Sequence, residues 1–198
     1  MLENYLKYLK IIDSKLEKFF EIQKPYIFCK VGCSQCCKNA QFPYSEIEIE
    51  YLMQGAMELD DKTRKLIHSN IEKILKEKKN FKGDIFKYDC PFLINDACSV
   101  YKHRGIVCRA FGLLSIGENN KIKIPFCHHQ NGNYSNVIEK GTSEITQESY
   151  KKSGIEQEPK AYNVSYKFLT KPEFEDGFNF KFGEKKALID WFELPEES

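Results

Sequence analysis

No cysteine precedes residue 29 and none follows residue 127, so both ends of this 198-residue chain are free of thiols. Net charge of one sign is missing as well. Thirty basic residues face 29 acidic ones, for a formal charge of +1, which leaves no global field to draw in nucleic acid. No apolar run approaches the roughly 20 residues that span a bilayer, so no membrane association is expected. The opening Met1-Leu2-Glu3-Asn4 lacks the basic and apolar regions of a secretion signal, and a cytoplasmic, thiol-reducing location is the expectation. Arginine is scarce, at Arg64, Arg104 and Arg109 among the 30 basic residues, and no internal repeat is evident. Disorder is excluded by the opposite kind of evidence: 41% hydrophobic residues, with 14% aromatic, are enough to build a core.

The eight cysteines are therefore confined to one stretch. Four crowd together as Cys29-x3-Cys33-x2-Cys36-Cys37, and Cys90, Cys98, Cys108 and Cys127 follow. Dense thiols without a secretion signal point to a metal or iron–sulfur site before they point to disulfides. Thiolates bind soft and borderline metals, and a short loop presents several sulfurs to one centre with little further loop-closure cost. The spacing of Cys29, Cys33 and Cys36 is the one that holds three ligands of a [4Fe–4S] cluster in radical S-adenosylmethionine enzymes, whose long α/β barrel this short chain cannot supply. A structural zinc would more often show two separated C-x2-C pairs, and only Cys33 and Cys36 have that spacing. An iron–sulfur cluster is accordingly favoured, with zinc as the alternative. Cys29, Cys33 and Cys36 are expected to share a centre, with a fourth ligand from Cys90, Cys98, Cys108 or Cys127. Cys37, next to Cys36, points elsewhere, either to a second centre or to a buried thiol role.

Around this stretch the chain reads as helix-dominated. Tyr5, Leu9, Ile12, Leu16 and Phe19 form one apolar stripe and predict a helix over residues 1–24, ended by Pro25. Ser45-x-x-Glu48 is a capping box that opens a second helix carrying Ile49, Leu52, Met53 and Ala56, which Gly55 weakens slightly. Asp60 or Asp61 caps a third, with Ile67, Ile71 and Ile74 on one side and Lys76, Lys78 and Lys79 at its solvated end. Residues 81–88 read as a linker or short strand. A turn falls at Asn95-Asp96, a helical turn at 99–103, and an edge strand at 121–124. Residues 130–160 read as loop with one short helix. Alternation of Tyr162, Val164, Tyr166 and Phe168 predicts a strand, and Ala187, Leu188, Trp191 and Phe192 a final helix. His128 and His129 follow Cys127 and read as a solvent-facing pair. His68 and His103 read as surface residues. Arg104 and Arg109 flank Cys108, where a guanidinium offsets thiolate charge or binds an anionic cofactor group; the competing role is a structural ion pair.

The motifs Cys29-x3-Cys33-x2-Cys36-Cys37, Cys90-Pro91-Phe92-Leu93, Cys98-Ser99-Val100-Tyr101 and Arg104-x3-Cys108-Arg109-Ala110-Phe111 resemble those of the YkgJ-like cysteine-cluster proteins, described as zinc- or iron-chelating domains. The family form is CxxCxxCC, then CxFL, then CxIYxxRPxxCRxF. Here the first spacing is three instead of two, and Gly105 replaces the family's proline, which would loosen the turn before Cys108. The resemblance covers about residues 29–127. It implies metal binding through Cys29, Cys33, Cys36, Cys37, Cys90, Cys98, Cys108 and Cys127. A more distant similarity to flagellin lysine N-methylases implies a protein or peptide substrate and S-adenosylmethionine as a second cofactor, although no glycine-rich loop after a strand supports it. The expected molecule is an α+β, helix-dominated small domain organised around a cysteine-ligated metal centre. It is read as one domain over 1–198, with a motif core at 29–127 and a C-terminal extension at 130–198. The expected function is cluster-dependent side-chain modification or, alternatively, a zinc-stabilised binding module or metal carrier.

Overall fold

A computed structural model describes residues 1–30, 32–117, 120–139 and 142–193. Helix α1 spans Leu2–Ile22 and buries Tyr5, Tyr8, Leu9, Ile12 and Leu16, which is the predicted stripe with Tyr8 added and Phe19 only partly buried. It stops before Pro25, which sits in a 3₁₀ turn at Lys24–Tyr26. The stripe organises one core together with Ile47, Ile106, Leu113, Val164, Leu169, Phe180 and Phe182. Tyr8 lies among Phe174, Phe178 and Phe180, with ring centroids 5.2–5.5 Å away, and its hydroxyl donates to the Leu169 carbonyl.

Helix α2, Glu46–Met57, begins at the predicted capping box, where the Ser45 N–H donates to Glu48 Oε2 at 2.9 Å. Glu48 is fully buried and also accepts from the Ile106 N–H at 2.8 Å and the Tyr166 hydroxyl at 2.7 Å. One carboxylate thus joins α2 to the start of α4, Ile106–Ala110, and to the C-terminal third. Gly55 serves contact and not flexibility: a Cβ there would stand 2.4 Å from the His103 ring. That notch holds His103 beside Tyr51, their rings 4.7 Å apart, so His103 is not the surface residue its sequence context suggests. Helix α3, Asp61–Asn80, is capped by Asp60, which accepts from the Thr63 N–H at 3.0 Å. Its Lys78 is not merely solvated. It pairs with Asp190 and Glu193, both at 2.7 Å, and docks the end of the chain.

Strands are short and form two-stranded antiparallel sheets among the described residues. β1 (Pro43–Ser45) pairs with β6 (Lys185–Ala187), β2 (Leu93–Ile94) with β3 (Ala97–Cys98), and β4 (Ser115–Ile116) with β5 (Ile122–Lys123). The arrangement is helix-rich α+β. Around β1 and β6 a second core gathers Phe42, Tyr44, Leu52, Ile67, Ile74, Tyr88, Phe92, Val100, Leu188 and Ile189. A smaller third core contains Tyr26, Leu114, Tyr134 and Val137.

Two sequence expectations are corrected. The alternation at 162–168 is not a strand. Tyr162 alone bridges to Ser115, and Ser165 then caps the helix α6, Tyr166–Leu169, by accepting from the Phe168 N–H. A serine side chain that satisfies an orphan helical N–H outweighs a four-residue alternation. A further helix, α7, follows at Pro172–Phe178 with its proline in the first turn, where no N–H is needed. The final helix is replaced by β6 and a 3₁₀ turn at Leu188–Phe192, because β1 offers an edge that pairs Ala187 with Pro43. Residues 81–88 form no strand beyond the isolated bridge of Tyr88 to Ala40. The short helix expected within 130–160 is α5, Gln147–Lys152.

Candidate metal centre

The cysteines lie where regular structure is thinnest, and short-range hydrogen bonds bring them together. Cys36 and Cys37 occupy a 3₁₀ turn at Gln35–Cys37, with their sulfurs 3.7 Å apart. The Cys90 N–H donates to the Cys37 carbonyl at 2.8 Å, and the Ala40–Tyr88 bridge extends that contact. From Cys90 the chain turns back through the β2–β3 hairpin, whose register places Leu93 opposite Cys98. Its turn residues Asn95 and Asp96 both have positive φ, 51° and 57°, as a two-residue primed turn requires. Asp96 then ties the hairpin to the cysteine run by accepting from Ser34 Oγ at 2.8 Å and Lys38 Nζ at 2.7 Å.

Cys108 sits in α4, with its sulfur 3.6 Å from the Tyr44 hydroxyl. The same hydroxyl accepts from the Gly105 N–H at 3.0 Å. Gly105 therefore does not loosen this turn. A Cβ there would lie 2.6 Å from the Tyr44 ring, and a proline would lack the donated hydrogen. Cys127 is buried in a 3₁₀ turn at Phe126–Gln130 that packs against the Gln35–Cys37 turn. Asn133 closes that side: its Oδ1 accepts from the backbone N–H groups of Phe28 and Cys29 at 2.8 and 3.0 Å. Sequence reading missed Asn133, Tyr44 and the side-chain contacts of Asp96, because their partners lie tens of residues away.

All eight cysteines are free, and Cys29 and Cys33 are exposed. Burial and neighbouring thiols raise the pKa of six of them. Cys29 is pushed up to about 11 by desolvation, then by Cys33 and by Cys36 and Cys127. Cys36 is pushed up by its hydrogen bond with Cys37, then by burial, while Arg104 pulls it back. Burial raises Cys90 well above the usual thiol range, with Cys108 and Cys98 adding to it. Burial raises Cys98, against Arg104. Cys108 is pushed up to about 12 by burial, against the Tyr44 hydroxyl. Cys127 is raised by burial and by Cys33 and Cys36.

The two candidate arginines differ. Arg109 is buried and engaged through all three of its nitrogens: Nη1 donates to Asp13 at 2.6 Å, Nε to the Arg104 carbonyl at 2.9 Å and Nη2 to the Lys102 carbonyl at 2.7 Å. It locks α4 to α1. Arg104 lies over the Tyr101 ring at 3.8 Å, donates to the Tyr101 carbonyl at 2.7 Å, and pairs with no carboxylate among the described residues. The histidine pair also divides. His129 is exposed. His128 is half-buried, its Nδ1 donates to the Pro125 carbonyl at 2.8 Å, and its Nε2 is buried without a partner. An orphaned imidazole nitrogen whose ring is fixed through the other nitrogen has the form of a metal-ligand histidine.

Among the described residues, no three His, Cys, Asp or Glu side chains already stand close enough together to hold an ion. The donor set nevertheless fits a soft or borderline metal: thiols from four separate chain positions gathered in one region, with a buried unpartnered imidazole nitrogen on the residue that follows Cys127. A cavity of ≈ 420 Å³ between α1 and the α6–α7 segment contains no cysteine and belongs to the other side of the molecule. No helix among the described residues is long and apolar enough to cross a membrane.

This is a thiol-built chelating domain assembled from loops. The chain belongs to the family described as "CxxCxxCC: Putative zinc- or iron-chelating domain", whose model matches residues 28–128, just over half of the sequence. The match begins one residue before Cys29 and ends one after Cys127, so it spans all eight cysteines. No curated protein and no solved structure matches the chain.

Proposed function

We propose that the thiol region holds a cysteine-ligated metal centre of the iron–sulfur type, open to a protein or peptide side chain on the exposed Cys29–Cys33 side. The observation that carries this reading is the convergence of the 29–37 run, the 90–98 hairpin, Cys108 and Cys127 on the Cys36–Cys37 turn. Cys29, Cys33 and Cys36 would supply the local ligands, and a cluster held there would supply redox or Lewis-acid chemistry. Arg104 is the residue placed to offset anionic charge. It acts on both Cys36 and Cys98 and has no carboxylate partner among the described residues. It would also hold an anionic group of a second cofactor, whereas Arg109 already commits each of its three nitrogens to Asp13 or a backbone carbonyl. Because no three side chains are yet within one ion's shell, loading would draw the loops inward and contribute folding free energy.

Zinc is the second reading, favoured by the buried Nε2 of His128, since zinc takes mixed thiolate and imidazole shells. It corresponds to a metal-stabilised binding module or carrier. Anaerobic purification with elemental analysis and visible absorption separates the two. Iron with equivalent sulfide and a brown colour supports the cluster. Colourless protein with stoichiometric zinc supports the module, and protein that takes up neither metal overturns both. The methyl-transfer form of the cluster reading further requires S-adenosylmethionine to bind the loaded protein by equilibrium dialysis. Absence of binding removes that form and leaves the metal centre standing.

A further inference from the structure

Eight thiols are too many for one centre. A zinc ion takes four ligands and an iron–sulfur cluster commonly four cysteines. The surplus four would have to be inert buried thiols, yet they lie in the same region as the rest and not dispersed through the core. We infer that the eight cysteines form two four-thiol sets, an outer set built on Cys29, Cys33 and Cys127 and an inner set built on Cys90, Cys98 and Cys108. The Cys36–Cys37 pair gives one sulfur to each, so the chain holds two metal centres. This rests on the metal-binding reading above and adds the number and division of the sites.

The backbone makes the division. On the outer side, Asn133, six residues past Cys127, holds the Phe28 and Cys29 N–H groups through one carboxamide oxygen, so the start of the cysteine run is fixed to the Cys127 turn. Cys33 closes a turn by donating its N–H to the Lys30 carbonyl at 2.9 Å. This side is open, with Cys29 and Cys33 exposed. On the inner side, Cys90, Cys98 and Cys108 pack against the second core, on Phe92, Val100 and their neighbours. Cys90 is tied to the Cys37 carbonyl, Cys98 to the hairpin register, and Cys108 to the Tyr44 hydroxyl.

The vicinal pair is the junction. Cys36 and Cys37 lie side by side with their sulfurs 3.7 Å apart. The Cys37 carbonyl takes the Cys90 N–H on the inner side, while the same 3₁₀ turn packs against the Cys127 turn on the outer side.

Native mass spectrometry of the full chain, loaded anaerobically with zinc alone and separately with iron and sulfide, counts the centres directly. Two zinc ions, or two clusters, are expected per chain. Cys29→Ser and Cys98→Ser should each keep one, the double variant none, and Cys36→Ser and Cys37→Ser one each. A single equivalent in the wild type overturns the division while leaving the metal-binding reading intact. No metal in the wild type overturns both. Two equivalents both lost with Cys36→Ser and neither with Cys37→Ser would mean one bridged pair and would also overturn the two separate sets. The wild-type count decides the question even where a serine variant fails to fold.

Discussion

The α1 side of the molecule and the cysteine side are built on opposite plans. The first is regular. One amphipathic helix of 21 residues meets α6, α7 and the Phe180–Phe182 stretch, and its core has no cysteine in it. The second carries all eight cysteines on loops, a two-residue strand, single 3₁₀ turns and the five-residue α4, with Cys90, Cys98 and Cys108 at the rim of its core. Apolar burial suffices to order the first. In the second, the polar links Asn133, Asp96 and Tyr44 hold the cysteine-bearing loops in place. The comparison teaches that this half is held by a few long-range polar links, so it is the half that a bound cation would stabilise most under the proposed reading, each coordinated thiol giving up its proton.

The largest expected effect tests that contrast itself. Stripping metal from loaded protein with a chelator should lower Tm by at least about 10 °C, since structural sites contribute on the order of 10 kcal/mol in small domains. Hydrogen exchange should speed up at 29–37, 90–98 and 126–133 and stay slow along α1. Uniform loosening of both sides, or an unchanged Tm after verified metal loss, would break the comparison.

Arg109→Ala probes the seam between the two halves. Its side chain is 6% exposed, but its partner Asp13 is 45% exposed, so the loss is discounted to about 2–3 kcal/mol. Calorimetry should show that loss with metal content per folded chain unchanged. A metal-depleted but equally stable variant would instead make Arg109 part of the centre.

Glu48→Gln examines the other link across the seam. Burial raises the Glu48 pKa against the pull of its hydrogen-bond donors. The folded state therefore holds its proton more tightly than the unfolded chain does. This group's contribution is fully present below the ordinary carboxyl pKa and is lost as pH rises through the raised folded value. Glutamine should remove that downward slope from the stability–pH profile while costing about 1–2 kcal/mol in hydrogen bonding at low pH. An unchanged slope would show that Glu48 does not titrate across that window.

Tyr44→Phe should have the smallest effect, about 1 kcal/mol, by leaving the Gly105 N–H unpaired. It should also speed metal release from the centre containing Cys108, measured by transfer to a chromophoric chelator. An unaltered release rate would limit Tyr44 to packing.

Some of this was legible from residue order alone, for a physical reason. The α1 stripe, the Ser45–Glu48 box, the Asp60 cap and the Asn95-Asp96 turn depend on residues at most a few positions apart, so their energetics are local. The cysteine spacing likewise announced a chelating domain, because thiol chemistry is a property of residue type. The strand read at 162–168 failed because a single capping serine redirected it, and the helix read at 187–192 failed because Pro43, 144 residues away in sequence, claimed Ala187 as its strand partner. Only the tertiary structure decided the rest: that Arg109 faces Asp13 across 96 residues, that Gly105 is a contact point for Tyr44, that His128 hides a nitrogen, and which thiols lie beside which. Each depends on where long loops close, and neither spacing nor composition carries that.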